Sequence, residues 1–178
     1  MILFMKKYTQ LLTFFVFMAC AYAATARGVY QKQADFLSQT FTGNVPKPGL
    51  IWLTGKIRKA ATQILQHKPS RLRVRYWARG MRSAWVLEEI GKEQPITLGI
   101  VINKGRIERL RVLAFRESRG DEVRHDFFTR QFSQAALKPD LQLSTSIDGI
   151  SGATLSVRAL QKLARLALYL DQQRQSRD

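Results

Sequence analysis

Four stretches between residues 71 and 115 alternate between apolar and polar residues, and this two-residue period constrains the fold more than any other feature. Successive side chains of a strand point to opposite faces of a sheet, so the alternation predicts half-buried strands. The predicted strands are residues 71–77, 83–90, 96–102 and 106–115. Turn residues join them in pairs, through Arg79-Gly80 and through Asn103-Lys104-Gly105. Two consecutive hairpins predict a twisted antiparallel sheet.

Apolar residues with helical spacing flank the predicted sheet on both sides. Before it, Tyr30, Ala34, Leu37 and Phe41 lie three or four residues apart, and a second helix is predicted over residues 50–67. After it, one helix face is predicted from Val157, Leu160, Leu163, Ala164, Ala167 and Leu168. The predicted fold class is α+β: a twisted antiparallel sheet of hairpins with packed helices and an N-terminal helical segment.

The first 23 residues have the pattern of a secretory signal peptide. Lys6 and Lys7 precede an apolar run over residues 11–20, and Ala21-Tyr22-Ala23 provides a small-x-small cleavage pattern. The run is shorter than the ~20 residues of a spanning helix, so cleavage is predicted, with an uncleaved anchor as the alternative. The predicted segments are a signal peptide at 1–23, a helical segment at 24–70, the main domain at 71–172 and a polar tail at 173–178.

Cysteine and histidine are too rare to support metal chemistry. The single cysteine, Cys20, lies in the signal peptide, so the mature chain is expected to have no thiol and no internal disulfide. His67 and His125 are the only histidines in the sequence. A zinc, haem or iron–sulfur site needs more ligands of these types. No metal site is therefore expected, and each histidine is interpreted as a surface or locally satisfied residue.

The chain is strongly basic, with a formal net charge of +16 that falls by two without the lysines of the signal peptide. Such a charge is typical of nucleic-acid binding, but export argues against that partner. Basic and apolar residues alternate over residues 71–76, so Arg71, Arg73 and Arg75 share one face of a strand. These arginines are interpreted as a solvated sheet face, with an anionic membrane surface or an acidic redox partner as the functional alternatives.

The segment directly before the C-terminal helix carries the strongest chemical signal. It reads Asp148-Gly149-Ile150-Ser151-Gly152-Ala153-Thr154, and helical periodicity starts at its end, so Thr154 is predicted at or just inside the helix start. Unpaired N–H groups and the positive end of the helix dipole favour a phosphate there. Small residues at Gly152 and Ala153 let a bulky group approach the backbone. By itself, however, such a segment is more commonly a plain turn with a Ser or Thr cap.

The pattern Asp148-x-x-Ser151-Gly152-Ala153-Thr154 resembles the attachment motif of the FMN-binding domain family. This family is typified by the C subunit of the sodium-pumping NADH:quinone oxidoreductase and the G subunit of the Rnf complex. The resemblance covers residues 96–170, in which a hairpin, a loop, an aromatic segment and the motif follow in the family's order. It assigns the main domain at 71–172 as an FMN-binding domain.

A loop upstream of the motif supports the resemblance in part. Glu117 and Gly120 match the ends of the family's Glu-Thr-Pro-Gly-like loop, whereas Ser118 and Arg119 replace its Thr and Pro. A position near the cofactor is one interpretation of Glu117, and a solvated turn is the other.

The resemblance implies that Thr154 carries FMN through a phosphoester bond, formed by a dedicated flavin transferase that uses FAD. The implied cofactor-binding residues are Thr154, Ser151, Gly152, Ala153, Asp148, Glu117 and Gly120. Asp148 is expected to bond amides of the turn or to assist the transferase, with helix capping as the alternative. Candidates for contact with the flavin ring are Phe127, Phe128, Phe132 and Ile150, whereas Trp77 and Trp85 are assigned to the core.

The expected function is that of an exported, periplasmic electron carrier, associated with the inner membrane, rather than a free-standing enzyme. Its expected partners are the flavin transferase and a membrane cytochrome or quinol-linked redox partner. Two other classes are considered: a basic non-redox binding module for an anionic membrane surface or polymer, and a hydrolase with Ser151 or Thr154 as nucleophile. The hydrolase is disfavoured because no Gly-x-Ser-x-Gly elbow is present and only two histidines could act as base.

Overall fold

The computed structural model describes residues 28–176, so the predicted signal peptide lies outside the described part of the chain. Five strands form one antiparallel sheet in the order β1-β2-β3-β4-β5. They are β1 (Gly49–Trp52), β2 (Arg73–Arg79), β3 (Arg82–Ile90), β4 (Pro95–Asn103) and β5 (Arg106–Phe115). The helices are α1 (Gln33–Thr40), α2 (Gly55–Leu65), the short α3 (Asp126–Thr129) and α4 (Thr154–Gln175). The predicted α+β class is confirmed.

Both predicted hairpins are present, and the turn of the second hairpin explains how its two strands are paired. In the second hairpin, Asn103 pairs with Arg106 across a two-residue turn. The two turn residues, Lys104 and Gly105, have φ angles of 51° and 74°. Positive φ at both positions is what a type I′ turn requires, and this turn matches the natural twist of the two strands.

The main core lies on one face of the sheet, under α2 and α4. Alternate strand residues point into it, among them the fully buried Trp85, Leu98 and Ile100. The predicted apolar face of α4 is buried in this core at every position, from Val157 to Leu168. The assignment of Trp85 to the core is therefore confirmed, and α4 is held against the sheet by apolar burial along its length.

A smaller core lies on the opposite face, where α1 packs against Trp77 and neighbouring strand residues. The predicted helix is confirmed, but its buried face includes Phe36 rather than Ala34, which is exposed. Gly99 explains the difference: a Cβ at this position would lie 2.7 Å from the Phe36 ring. The aromatic ring thus occupies the space that a side chain on β4 would fill.

The predicted helix over residues 50–67 is wrong in its first part. Residues 49–52 form β1, in which Ile51 is buried while Leu50 and Trp52 are exposed, and α2 begins only at Gly55. β1 pairs with β2, so the segment predicted as helical contributes a strand to the sheet. A short run of apolar residues such as Leu50, Ile51 and Trp52 is compatible with either a helix or a strand. Pairing with β2 selects the strand.

The segment predicted as a polar tail from residue 173 includes the end of α4. α4 continues to Gln175, and Arg174 is buried, because this last turn packs against the β2–β3 hairpin through Asp171 and Ser83. The last two residues, 177–178, lie outside the described part.

Candidate functional site

Thr154 is the first residue of α4, as predicted from the sequence. The residue before it, Ala153, stands at the N-cap position, and no side chain caps the helix. The first hydrogen bond of the α-helical type runs from the N–H of Val157 to the carbonyl oxygen of Ala153, at 2.9 Å. The N–H groups of the turn before Val157 have no partner within the helix. Because no side chain caps the helix, these N–H groups are available to stabilise an anion at the helix start.

The turn that precedes α4 is open to solvent. Ser151, Gly152 and Thr154 are all exposed. Gly152 has a φ of +81°, which favours glycine, and a Cβ at Gly152 or Gly149 would meet no atom within 4 Å. A bulky group attached at Thr154 therefore has free space on this side of the turn.

Asp148 is tied to the protein by its backbone and not by its carboxylate. Its N–H donates a hydrogen bond of 2.7 Å to Oε1 of Gln131, which belongs to the aromatic segment after β5. Within residues 28–176 its carboxylate accepts no hydrogen bond, and the helix has no side-chain cap. The capping alternative for Asp148 is therefore wrong, and the same is true of the expected bonds to amides of the turn.

Glu117 holds the turn between β3 and β4. Its Oε1 accepts hydrogen bonds from the backbone N–H groups of Lys92, Glu93 and Gln94, at 2.5, 2.7 and 2.9 Å. Burial by itself raises the pKa of the Glu117 carboxyl, but these bonds and the Lys92 charge outweigh it and keep the pKa below its usual 4.5. Glu117 thus has a defined structural role, and a contact with a cofactor remains a prediction.

Gly120 connects the same loop to the start of α4. A Cβ at Gly120 would lie 3.0 Å from the Cβ of Ala153 and 3.4 Å from Oγ of Ser156, and its φ is +85°. Both the close approach and the positive φ favour glycine. The loop 117–120 therefore joins the β3–β4 turn at one end to the Thr154 region at the other.

Glu117→Gln is expected to change the pH dependence of stability. Because the folded pKa lies below 4.5, the carboxylate stabilises the fold above the unfolded pKa, and this contribution is lost as pH falls through the folded pKa. The difference in unfolding free energy between wild type and Glu117→Gln should therefore shrink on acidification below 4.5. Urea titrations at a series of pH values measure it. Glu93→Gln, an exposed residue of the same turn, is the control, and a pH-independent difference would contradict the role of Glu117.

The aromatic residues near the motif divide into two groups. Phe128 and Phe132 are fully buried and pack edge to face with ring centroids 5.8 Å apart, so their rings belong to the core. Phe127 is exposed and stacks on His125, and Ile150 is partly buried beside the main core. Of the four residues predicted to contact a flavin ring, Phe127 and Ile150 have accessible surface to do so.

Within residues 28–176 neither histidine side chain forms a hydrogen bond with Ser151 or Thr154. His67 bonds to Glu89 at 2.9 Å and to the Lys68 carbonyl oxygen, and these contacts raise its pKa, the Lys68 bond most. His125 contacts the Phe127 ring. Among residues 28–176 no group of three potential metal ligands occurs. The geometry gives no support to the hydrolase alternative.

Gln131 is a residue of this site that the sequence analysis missed. Its side-chain oxygen accepts the hydrogen bond from the backbone N–H of Asp148, which lies 17 residues later in the chain. No local pattern marks such a residue, because a single glutamine in a turn-rich segment has no periodicity or motif. Only the folded arrangement shows that it positions the motif.

Comparisons with known proteins identify part of the chain. No helix in the described region is long and apolar enough to cross a bilayer. No curated protein matches the sequence significantly, and no solved structure does. The sequence model of the FMN-binding domain matches residues 91–169, which include β4, β5, Glu117, Gly120 and the Thr154 motif. Residues 91–169 are therefore similar to the FMN-binding domain family, and this similarity suggests a flavin-binding module in this part of the chain.

Proposed function

We propose that this protein is an exported flavoprotein that carries FMN covalently on Thr154 and acts as an electron-transfer module. The observation that carries the proposal is the position of Thr154 within the FMN-binding domain. Its side chain is exposed at the first position of a helix that has no side-chain cap. A hydroxyl and a set of free N–H groups thus lie together at one point of the surface.

The residues present fit a phosphate esterified at Thr154. Open N–H groups and the helix dipole stabilise its negative charge. A Cβ at Gly149 or Gly152 would meet no atom within 4 Å, so the two glycines leave open space in the turn before the helix. Phe127 is exposed and Ile150 is partly buried, so both keep apolar surface that a planar ring system could contact.

In the attachment reaction, this chain contributes the nucleophile and keeps it accessible to the flavin transferase. Oγ of Thr154 attacks the phosphorus of the FMN half of FAD, so that a new O–P bond forms. The bond from that phosphorus to the bridging oxygen breaks, AMP leaves, and the hydroxyl proton passes to a base of the flavin transferase. The exposed Asp148 carboxylate is available to the transferase, because it has no partner in the described fold.

The attached flavin supplies the electron exchange, and the polypeptide supplies its position and its electrostatic environment. The strongly basic chain favours association with an acidic or membrane-bound redox partner. The proposed partner is a membrane cytochrome or a quinol-linked complex. Covalent attachment retains the cofactor in the periplasm, where no cytosolic pool replaces it.

Co-expression with a flavin transferase in an exporting host tests the proposal. We expect the mature chain to gain the mass of one FMN less one water, with the added mass on the peptide that contains Thr154. The protein band should fluoresce after denaturing electrophoresis, and protein made without the transferase should not. An unmodified Thr154 under these conditions would favour the non-redox binding module instead.

A further inference from the structure

The sheet opens between β2 and β3. These strands pair only near their turn, from Arg79↔Arg82 to Tyr76↔Trp85. Beyond Trp85, residues 86–90 of β3 pair with β4 alone, and residues 73–75 of β2 pair with β1 alone. The diverging strands leave a cleft of about 1080 Å³ between them.

The walls of this β2–β3 cleft are largely apolar. Its lining includes Val74, Val86 and Leu87 from the diverging strands and Leu163 and Leu166 from α4. The volume lies just above the range of about 300–1,000 Å³ that is typical of ligand sites, and such sites combine apolar walls with a few polar groups. The cleft therefore has the size and surface for an apolar ligand.

Two arginines at the cleft, Arg73 and Arg75, have no acidic partner in the described part of the chain. Glu88 is paired with Arg71 at 3.1 Å, and Glu89 with His67 at 2.9 Å. By contrast, no carboxylate in the described structure lies within ion-pair distance of Arg73 or Arg75. Arg73 lies over the ring of Trp52, 5.8 Å from its centroid. An anionic group at the mouth of the cleft would meet two arginines that no internal acid neutralises.

Exposed apolar side chains surround the mouth. They are Leu50, Trp52, Leu72 and Ile90. A group of exposed apolar residues beside arginines is typical of a surface that contacts lipid. Gly28 lies at this same end of the sheet, because its carbonyl oxygen accepts a bond of 2.6 Å from the N–H of Phe115, whose partner Ile96 follows the Ile90–Pro95 pair.

The geometry points to a binding site for an anionic lipid in the β2–β3 cleft, with one acyl chain between the strands and the headgroup against Arg73 and Arg75. The apolar walls accept the chain, and the two arginines select a negative headgroup over a neutral one. This site is separate from Thr154, and lipid binding there does not depend on whether FMN is attached.

Quenching of Trp52 by brominated acyl chains tests the site. Trp52 and Trp77 both line the cleft, whereas the fully buried Trp85 does not, so bound lipid should quench Trp52 and Trp77. We expect strong quenching by vesicles of brominated phosphatidylglycerol and little by brominated phosphatidylcholine, with or without flavin on the purified protein. Trp52→Phe should reduce the change, and the remaining quenching should come from Trp77. Equal quenching by both lipids would overturn the proposal.

Two double variants distinguish binding at the cleft from attraction to the net charge of the protein. Arg73→Gln with Arg75→Gln should weaken binding to the anionic vesicles by roughly thirty-fold. Arg58→Gln with Lys59→Gln, an exposed pair on α2 with the same charge change, is the matched control and should weaken it far less. Equal weakening by both pairs would show that net charge alone drives binding, and would overturn the site.

Filling the cleft tests the position of the acyl chain. Val86→Phe, or the smaller change Val86→Met, adds volume between the strands and leaves every charge in place. Quenching of Trp52 should fall in the variant whose thermal unfolding matches wild type. Undiminished quenching in such a folded variant would place the lipid outside the cleft and overturn the inference.

Discussion

Thr154→Val should abolish the covalent flavin completely while leaving the fold unchanged. Valine has nearly the same shape as threonine, but it has no hydroxyl to form the phosphoester. The Thr154 side chain is exposed and does not cap α4, so the free energy of unfolding should change by less than about 0.5 kcal/mol. Intact-protein mass and in-gel fluorescence after co-expression with the transferase measure the adduct, and thermal unfolding checks the fold.

Ser151→Ala is the matched control for this experiment. Ser151 is also exposed and lies in the same turn, but the proposed reaction uses only the hydroxyl at the helix start. We therefore expect the Ser151→Ala protein to carry the adduct. An adduct that persists in Thr154→Val and disappears in Ser151→Ala would move the attachment to Ser151 and refute the assignment of Thr154.

Asp171→Ala is expected to lower the free energy of unfolding by about 3–5 kcal/mol, which is the typical cost of breaking a buried ion pair. Asp171 is fully buried, and its carboxylate accepts bonds from Oγ of Ser83 at 2.6 Å, Nε of Arg174 at 3.1 Å and Nε2 of Gln175 at 2.6 Å. Nε1 of Trp85 in turn donates to Oγ of Ser83. Alanine would remove a buried carboxylate that pairs with Arg174 and joins α4 to β3.

Urea denaturation followed by circular dichroism measures this loss. The control is Glu122→Ala, an exposed acidic residue, for which a change within about 0.5 kcal/mol is expected. Replacing both members of the pair, as in Asp171→Ala with Arg174→Met, should recover part of the loss because the charge is no longer buried. A double variant that is much less stable than Asp171→Ala would show that the loss of this ion pair is not the main cost.

The sequence by itself was sufficient for the elements whose patterns are local. Alternation over residues 71–115 predicted four of the five strands, and the apolar face from Val157 to Leu168 predicted the long helix. The position of Thr154 at the helix start followed from the same periodicity. These predictions succeeded because side-chain direction repeats every 2 or about 3.6 residues along a single segment.

Only the tertiary structure decided the features that depend on contacts between distant segments. Residues 49–52 became a strand through pairing with β2, and Phe36 became a core residue because Gly99 leaves room for its ring. The carboxylate of Glu117 bonds to a turn more than 20 residues earlier, and Gly120 lies against Ala153. No short-range period encodes such contacts, because they arise only when non-local segments pack together.

The cleft between β2 and β3 is also a property of the folded sheet alone. Each of its strands has a regular sequence pattern, and nothing in either pattern marks where their pairing stops at Tyr76 and Trp85. The sequence therefore determined most of the strands and helices and placed Thr154 at the start of a helix. Packing of the whole sheet and its helices decided which polar groups are bonded, which rings are buried and where the sheet is open, because those outcomes depend on partners far apart in the chain.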